Sequence, residues 1–411
     1  MRINRSILNL VGTILLFLTV FISCKKDEQD IHYSYFVSKE FALEYNKGYI
    51  TNLIEIVAGS VPEIATLKPK VKSDTDIYKI VYKTTVNGNQ IEASGLICVP
   101  STPGEYPVLS FQNGTNTVNA FAPSEFPLDY TYQAVEIIAS LGYIVVIADY
   151  PGFGASAQIP HPYLITGPTV TSLVDMLFTV NEIAEAEFPG ITLKNEYYLL
   201  GYSQGGWATL ALHKALELDY SADFNLKGSS CGAGPYNILQ LLEEIVNKPE
   251  YPMPVYLGYI VNAYSAYDQF TNPAGDIFNE PYASRLSSLF TGLLTSDQIN
   301  NQLTKSMTGL ITPDFISGFA TSGKYSTVRD ALNNNSIEAW HSFKPVLLIH
   351  GGKDSRVNPA STEIMYNAML QTGTSAEICQ KIIIPDVDHG DGALPCMIKG
   401  MLFLDNLNNS K

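Results

Sequence analysis

The hexapeptide Gly201-Tyr202-Ser203-Gln204-Gly205-Gly206 separates a short apolar run at 197–200 from a helix-forming stretch at 207–218. The apolar run is typical of a buried strand, and the small residues on both sides of Ser203 allow a sharp turn from that strand into the helix. A serine on such a turn sits at strained dihedral angles, and the start of the following helix directs free N–H groups at developing negative charge. The stretch therefore predicts that Ser203 is a nucleophile.

A second stretch, Gly228-Ser229-Ser230-Cys231-Gly232, has the same spacing of glycine and serine. It continues into Ala233-Gly234-Pro235, which cannot begin the helix that the turn requires. Ser203 is therefore preferred over Ser230.

Outward from this turn, apolar strands alternate with helices. The sequence predicts strands at 77–82, 91–99, 106–111, 143–148, 197–200, 226–230, 345–350 and 378–384. It predicts helices at 36–57, 132–141, 169–187, 207–218, 361–370 and 397–407. Asn87-Gly88 is a strong hairpin signal, and the later alternation indicates a parallel sheet covered by helices on both faces. The predicted fold class is α/β, with a mostly parallel, doubly wound sheet and an N-terminal antiparallel hairpin.

The alternation stops at 234–344, a segment rich in tyrosine with predicted helices at 238–246, 286–294 and 296–303. An insertion of this length is usually a helical cap or lid over the site, and a helical layer that only supports the fold is the alternative. We expect 36–233 and 345–411 to form the two parts of the core and 234–344 to form the cap.

A nucleophilic serine needs a base, and the sequence contains six histidines. His389 is the best placed, because it follows the last predicted strand on a loop where catalytic residues gather. The acid is expected after the preceding strand, where Asp354 lies four residues beyond its end. Asp386 and Asp388 are rivals, but neighbours on the loop of His389 rarely turn back to its far ring nitrogen. The chain order serine, acid, histidine is also satisfied.

The other histidines fit the role of the base less well. His161 lies in a rigid loop, Pro160-His161-Pro162, and His350 closes a predicted strand.

Four segments together resemble the α/β-hydrolase superfamily, from about residue 78 to the C-terminus. They are the turn around Ser203, Asp149-Tyr150-Pro151-Gly152-Phe153-Gly154, His350-Gly351-Gly352-Lys353-Asp354, and Asp388-His389-Gly390. Within that superfamily, the long cap and the Gly-Tyr-Ser-Gln-Gly-Gly turn are similar to the secretory lipases of yeasts and bacteria. The resemblance implies hydrolysis of a carboxylic ester, with lipids among the candidate substrates, through an acyl-enzyme formed on Ser203. Asp354 and His389 would complete the triad, and no metal or organic cofactor is implied.

The resemblance also implies an oxyanion hole made of backbone N–H groups, those of Gln204 and Thr115. Here the sequence departs from the family, which often has His-Gly where this chain has Gln112-Asn113-Gly114-Thr115. A backbone N–H group is present whatever the neighbouring side chains are. The change therefore puts the geometry of this loop in question, but not the role of Thr115 as a donor.

Two other functions remain open. A prolyl-peptidase-type serine peptidase would share the fold and triad, although no propeller-like repeat is present. A catalytically inactive surface binding protein would not need Ser203, Asp354 and His389 together.

The composition excludes some classes of protein. Hydrophobic residues make up 46% of the 411, which is enough for a packed core. The chain has 25 Lys and Arg against 40 Asp and Glu, a formal charge of −15. Such a protein repels phosphate backbones, so nucleic-acid binding is not expected.

The first residues resemble a bacterial lipoprotein signal. Arg2 and Arg5 precede an apolar run at 7–22, which is short for a membrane span and ends in Phe21-Ile22-Ser23-Cys24. We predict a signal peptide at 1–23, an acylated Cys24, and a tether at 24–35. This implies membrane anchoring in a bacterial cell envelope, at the outer membrane, with exposure on the cell surface as one option. A plain signal peptide is the alternative.

The remaining cysteines permit disulfides in an oxidising envelope, with three possible connectivities that the sequence leaves open. They are Cys98, Cys231, Cys379 and Cys396.

Overall fold

One nine-stranded sheet runs through the part of the chain that the computed structural model describes, residues 33–409. The signal peptide, Cys24 and most of the tether lie outside these described residues. The strands are β1 (Phe36–Tyr45), β2 (Thr75–Val86), β3 (Asn89–Pro100), β4 (Gly104–Gln112), β5 (Ile144–Ala148), β6 (Ile191–Tyr202), β7 (Leu226–Gly232), β8 (Val346–Gly351) and β9 (Cys379–Ile384).

Helices connect and cover these strands. They are α1 (Lys47–Ala58), α2 (Tyr130–Glu136), α3 (Thr166–Glu187), α4 (Gln204–Leu218), α5 (Ile238–Val246), α6 (Pro254–Ala266), α7 (Ala274–Ile277), α8 (Tyr282–Leu289), α9 (Ser296–Asn300), α10 (Met307–Leu310), α11 (Pro313–Gly318), α12 (Ser326–Asn334), α13 (Ala360–Gln371) and α14 (His389–Asn409). Short 3₁₀ helices occupy Pro62–Lys70, Asn119–Phe121, Ile137–Leu141, Gly154–Ser156 and Gly323–Tyr325.

The strand order is β1-β2-β3-β5-β4-β6-β7-β8-β9. Pairing is antiparallel from β1 to β5 and parallel from β5 to β9. The predicted α/β fold with a mostly parallel sheet and an antiparallel N-terminal part is therefore confirmed. Because parallel strands end at one edge, the residues that follow β4, β6, β8 and β9 converge there.

The hairpin between β2 and β3 turns where the sequence predicts. Asn87 and Gly88 both have positive φ, 48° and 76°, as a two-residue turn of the tight hairpin type requires. Val86 then pairs with Asn89, so the whole register of the two strands follows from this turn.

The predicted helix at 36–57 is wrong in its first half. Phe36–Tyr45 forms strand β1 at the edge of the sheet, and only Lys47–Ala58 is helical. Two register shifts in the pairing of β1 with β2 interrupt the alternation of side chains, so the strand lacks the period of two that would reveal it. Asn46 separates the two elements, because its side chain accepts the Tyr49 N–H and caps α1.

The segment between β7 and β8 contains helices α5 to α12. Apolar side chains from α5, α6 and α12, among them Leu242, Ile260 and Leu332, are buried together with Phe315 of α11 around a narrow cavity. The segment thus has an apolar core of its own, which fits an element that packs as a unit on the sheet.

The four described cysteines are separate thiols, and all are buried. Burial raises the pKa of Cys379 and of Cys396 to about 12, so these thiols are protonated and unreactive at neutral pH. No helix within residues 33–409 combines the length and apolar character needed to cross a membrane.

Glu136, the last residue of α2, is completely buried. Burial raises the pKa of its carboxyl to about 8, and the nearby Tyr45 hydroxyl opposes this only in part. In the unfolded chain the same carboxyl ionises near pH 4.5. The protein is therefore expected to lose stability as the pH rises from 4.5 towards 8, because the unfolded chain releases this proton first.

We expect Glu136→Gln to abolish that loss. Relative to the wild type, the variant should gain unfolding free energy as the pH rises, on the order of 3 kcal/mol at pH 7. Urea unfolding at pH 5 and at pH 8 measures the difference, with the exposed Glu40→Gln as the matched control. An equal effect of Glu136→Gln at both pH values would show that the carboxyl does not titrate in this range.

Candidate active site

Ser203 lies on the turn between β6 and α4 with φ 61° and ψ −122°. This left-handed conformation is strained for a residue with a side chain, and it presents the serine at the end of the sheet. The two glycines that follow are required by close packing. A Cβ on Gly205 would collide with the Gln112 carbonyl group, and a Cβ on Gly206 would collide with that of Gly232.

Ser203, His389 and Asp354 form a continuous chain of hydrogen bonds. His389 Nε2 is 2.9 Å from Ser203 Oγ, and His389 Nδ1 is 2.5 Å from Asp354 Oδ2. Asp354 lies on the loop after β8, and both it and His389 are buried. The arrangement allows a proton to pass from the serine to a ring whose orientation is set by a carboxylate.

His389 is the first residue of helix α14 and not part of a loop, which corrects the sequence-based expectation. The sequence predicts this helix only from 397, and Gly390, Gly392 and Pro395, which are poor helix formers, obscure its beginning. The Tyr202 hydroxyl donates to the His389 carbonyl oxygen at 2.7 Å. The residue before the serine therefore also holds the backbone of the histidine.

Asp354 accepts four hydrogen bonds. Its Oδ1 accepts the backbone N–H groups of Arg356 and Val357, each at 2.9 Å. Its Oδ2 faces His389 and, at 3.1 Å, Nε2 of His350. Burial by itself would raise the pKa of this carboxyl, but the bonds from His350, His389 and Val357 together hold it well below its usual range. Asp354 is therefore ionised wherever the protein is folded near neutral pH.

The rival residues are engaged elsewhere. Asp386 is exposed and forms an ion pair with Lys353 at 2.7 Å. Asp388 Oδ1 accepts the Ser355 N–H at 2.9 Å and its hydroxyl at 3.0 Å. Ser230 is buried within β7, where it packs against Gly400 of α14.

Gln204 is the first residue of α4, so its backbone N–H is one of those that a helix leaves without an intrahelical acceptor. Its buried side-chain amide donates to His161 Nε2 at 2.8 Å. His161 Nδ1 lies 2.8 Å from the Pro151 carbonyl oxygen, which places the proton on Nδ1 and leaves Nε2 as the acceptor. Burial lowers the pKa of His161 to about 4, so the ring is neutral. Sequence reasoning missed this contact, for which the rigid Pro-His-Pro segment was the only local signal.

The loop after β4 passes beside the serine. A Cβ added to Gly114 would lie 3.9 Å from that of Ser203, so the next residue, Thr115, is close to the reacting group. Thr115 Oγ1 and the Tyr163 hydroxyl are 2.9 Å apart, and Tyr163 stacks on Tyr259 of α6 with ring centroids at 4.4 Å. The helical insertion thus supports the loop that carries Thr115.

A narrow apolar cavity opens at Ser203 and Gln204. Its walls come mainly from α5 and α6, and include the buried side chains Ile238, Leu242, Ile245, Leu257 and Ile260. A cavity with this lining suits an apolar group more than a charged one.

A larger apolar cavity lies between α1, α2 and α14. Aliphatic side chains such as Ile54, Leu141 and Met401 line it, without a histidine, serine or carboxylate. The chemistry therefore belongs to the smaller cavity at Ser203. Within residues 33–409, no group of three or more His, Cys, Asp or Glu side chains could hold a metal ion.

The sequence matches the family model described as secretory lipase over residues 128–387. No curated protein matches the chain. A solved putative hydrolase from Legionella pneumophila is similar, with 25% identity, a TM-score of 0.80, and coverage of 91% of this chain and 98% of the other.

Two further solved structures share the fold. The rice cell wall degrading esterase LipA from Xanthomonas oryzae is 23% identical with a TM-score of 0.75, over 91% of this chain and 97% of that protein. Candida antarctica lipase A is 14% identical with a TM-score of 0.65, over 91% of this chain and 82% of that protein.

Proposed function

Since the chain belongs to the secretory lipase family, we propose that it is a serine hydrolase that cleaves carboxylic esters through an acyl-enzyme. The observation that carries this proposal is the hydrogen-bonded chain from Ser203 Oγ through His389 to Asp354. A serine with an adjacent base and an orienting carboxylate is the arrangement that activates a hydroxyl for attack on an acyl group.

In the proposed reaction, His389 Nε2 accepts the proton of Ser203 as Oγ attacks the ester carbonyl carbon. Asp354 keeps the proton of neutral His389 on Nδ1 and stabilises the imidazolium that forms. His389 then protonates the leaving alcohol, and the acyl group stays on Ser203. Water, deprotonated by the same ring, attacks this ester and releases the acid.

The oxyanion of each tetrahedral intermediate is proposed to accept hydrogen bonds from the backbone N–H groups of Gln204 and Thr115. Gln204 supports this role because its N–H lies at the start of α4 and its side chain is fixed by His161. The position of Thr115 supports its role as the second donor, because Thr115 directly follows Gly114, which lies beside the serine. Donors held in place before the reaction need no reorganisation when charge develops.

We propose that residues 234–344 act as a cap that encloses the acyl group. The support is the apolar wall that α5 and α6 contribute beside Ser203. An enclosure of this kind excludes water from the reacting ester and strengthens the electrostatic interactions within the site.

A fluorophosphonate probe and a substrate panel test the proposed function. The panel contains p-nitrophenyl esters of increasing acyl length and aminoacyl-Pro anilides. We expect the protein to hydrolyse the esters and, in a separate reaction, the probe to label Ser203. Cleavage of the anilides alone would favour a prolyl-peptidase-type peptidase, and inertness to both substrates and to the probe would favour a binding protein.

We also propose that Cys24 is acylated and anchors the protein in a bacterial cell envelope. An alkynyl fatty acid supplied to the producing cells should label the wild type and not Cys24→Ala, since the thiol carries the diacylglycerol. Cys98→Ala, which removes a buried thiol, should keep the label. An unlabelled wild type, or label retained by Cys24→Ala, would contradict acylation at this position.

A further inference from the structure

Two histidines face the same oxygen of Asp354. His389 Nδ1 lies at 2.5 Å and His350 Nε2 at 3.1 Å from Oδ2. The proposed reaction uses only His389. His350 is completely buried at the end of β8, where it cannot reach a substrate.

The surroundings of His350 define which way its hydrogen bonds run. Its Nε2 is also 3.0 Å from the Val357 carbonyl oxygen, and its Nδ1 is 2.8 Å from Thr362 Oγ1. A carboxylate and a carbonyl oxygen can only accept, so Nε2 carries a proton that Asp354 and Val357 share. The Thr362 hydroxyl can donate to Nδ1 of the neutral ring, so both ring nitrogens have partners.

We propose that His350 is a positioning residue for the reaction: it holds the Asp354 carboxylate in the orientation that serves His389. This inference rests on the proposed function. Oδ1 is already fixed by the N–H groups of Arg356 and Val357, and His350 is the partner of Oδ2 other than the reacting histidine. With four donors around it, the carboxylate has no freedom to rotate when the charge on His389 changes.

The inference also predicts a pH effect of defined sign. A donor on Oδ2 lowers the affinity of the Asp354–His389 pair for its proton, because it stabilises the ionised carboxylate. Without His350, the pair should take up that proton at a higher pH. The other titratable groups that act on Asp354 or respond to its charge stay unchanged in the test, and these are Tyr202, Tyr251, Tyr256, Arg356, Asp388 and Cys396.

Two variants test the proposal. His350→Leu removes the donor and fills much of the space, whereas His350→Gln can place an amide N–H near the position of Nε2. We expect His350→Leu to lower kcat by about 10- to 100-fold with little change in KM, as for the loss of one hydrogen bond to a charged group. The acid-side midpoint of its kcat/KM profile should rise by roughly 0.5 to 1 pH unit. His350→Gln should recover most of the rate and of the profile.

His213→Leu is the matched control. His213 is equally buried, with Nδ1 2.6 Å from Ser229 Oγ and Nε2 3.3 Å from Ser342 Oγ. Both Leu variants lose a buried hydrogen-bonded ring, but only His350 touches Asp354. The proposal would be overturned if His350→Leu and His213→Leu both lowered kcat without shifting the pH profile of kcat/KM. It would also be overturned if His350→Leu had wild-type kinetics.

If His350→Leu does not fold, Thr362→Val removes the donor to Nδ1 and loosens the same ring. It should lower kcat several-fold and move the profile in the same direction, and an unchanged profile would overturn the inference. Fluorophosphonate labelling of the wild type distinguishes a failure of the proposed function from a failure of the proposed role of His350. An unlabelled, inactive wild type refutes the proposed function, whereas an active, labelled wild type with normal His350 variants refutes only the role of His350.

Discussion

Replacing Ser203 by alanine is expected to lower kcat for an activated ester by about 10⁴- to 10⁶-fold, as the loss of a nucleophile does in other triads. The expected effect is this large because Ser203 carries the hydroxyl that is hydrogen-bonded to His389, and the remaining donors can only assist direct attack by water. Folding should be retained. Serine and alanine both carry a Cβ, so the strain at φ 61° is similar in the two proteins. The substitution removes one hydroxyl, whose partner His389 Nε2 can bind water instead.

Ser230→Ala is the matched control for the nucleophile. Ser230 also lies within a Gly-x-Ser-x-Gly stretch, but its side chain is buried against Gly400. Its alanine variant should keep turnover near the wild-type rate and should still react with the fluorophosphonate probe. Labelling that persists in Ser203→Ala and disappears in Ser230→Ala would assign the nucleophile to the second stretch.

Asp354→Asn is expected to reduce the rate by on the order of 10⁴. An amide cannot replace this carboxylate in either orientation. If the amide NH₂ group takes the position of Oδ2, it faces His350 and His389. If it takes the position of Oδ1, it faces two backbone N–H groups, which are also donors. In the first orientation, the amide donates to His389 Nδ1 and moves the ring proton to Nε2. The ring can then no longer accept the proton of Ser203.

The two neighbouring carboxylates provide the controls for this prediction. Asp386→Asn removes only an exposed ion pair with Lys353, and such pairs contribute little. Asp388→Asn retains a carbonyl oxygen that can accept from Ser355. Both variants should therefore stay within about tenfold of the wild type on the same short-chain ester. Near wild-type turnover in Asp354→Asn, together with loss in either control, would show that the acid is assigned wrongly.

The sequence by itself determined the parts of the molecule whose causes are local. The turn at Ser203 requires small residues at Gly205 and Gly206, because a side chain at either position would collide with a neighbouring carbonyl group. The hairpin at Asn87-Gly88 requires two residues that tolerate positive φ. The apolar runs of the parallel strands are buried on both faces, so they stand out from their surroundings. Together these local signals were enough to predict the α/β fold and to name Ser203, Asp354 and His389 as candidates.

Only the tertiary structure decided the features that depend on partners distant in the chain. Phe36–Tyr45 is a strand because the edge of β2 binds it, and its bulged register hides this from the pattern of its side chains. His389 meets a serine 186 residues away, and the contact of His161 with Gln204 joins residues that are 43 positions apart and that no motif connects. The physical reason is that a hydrogen bond between buried side chains depends on where the backbone places them. The sequence lists the donors and acceptors, and the packing of the sheet, the helices and the insertion decides which of them meet.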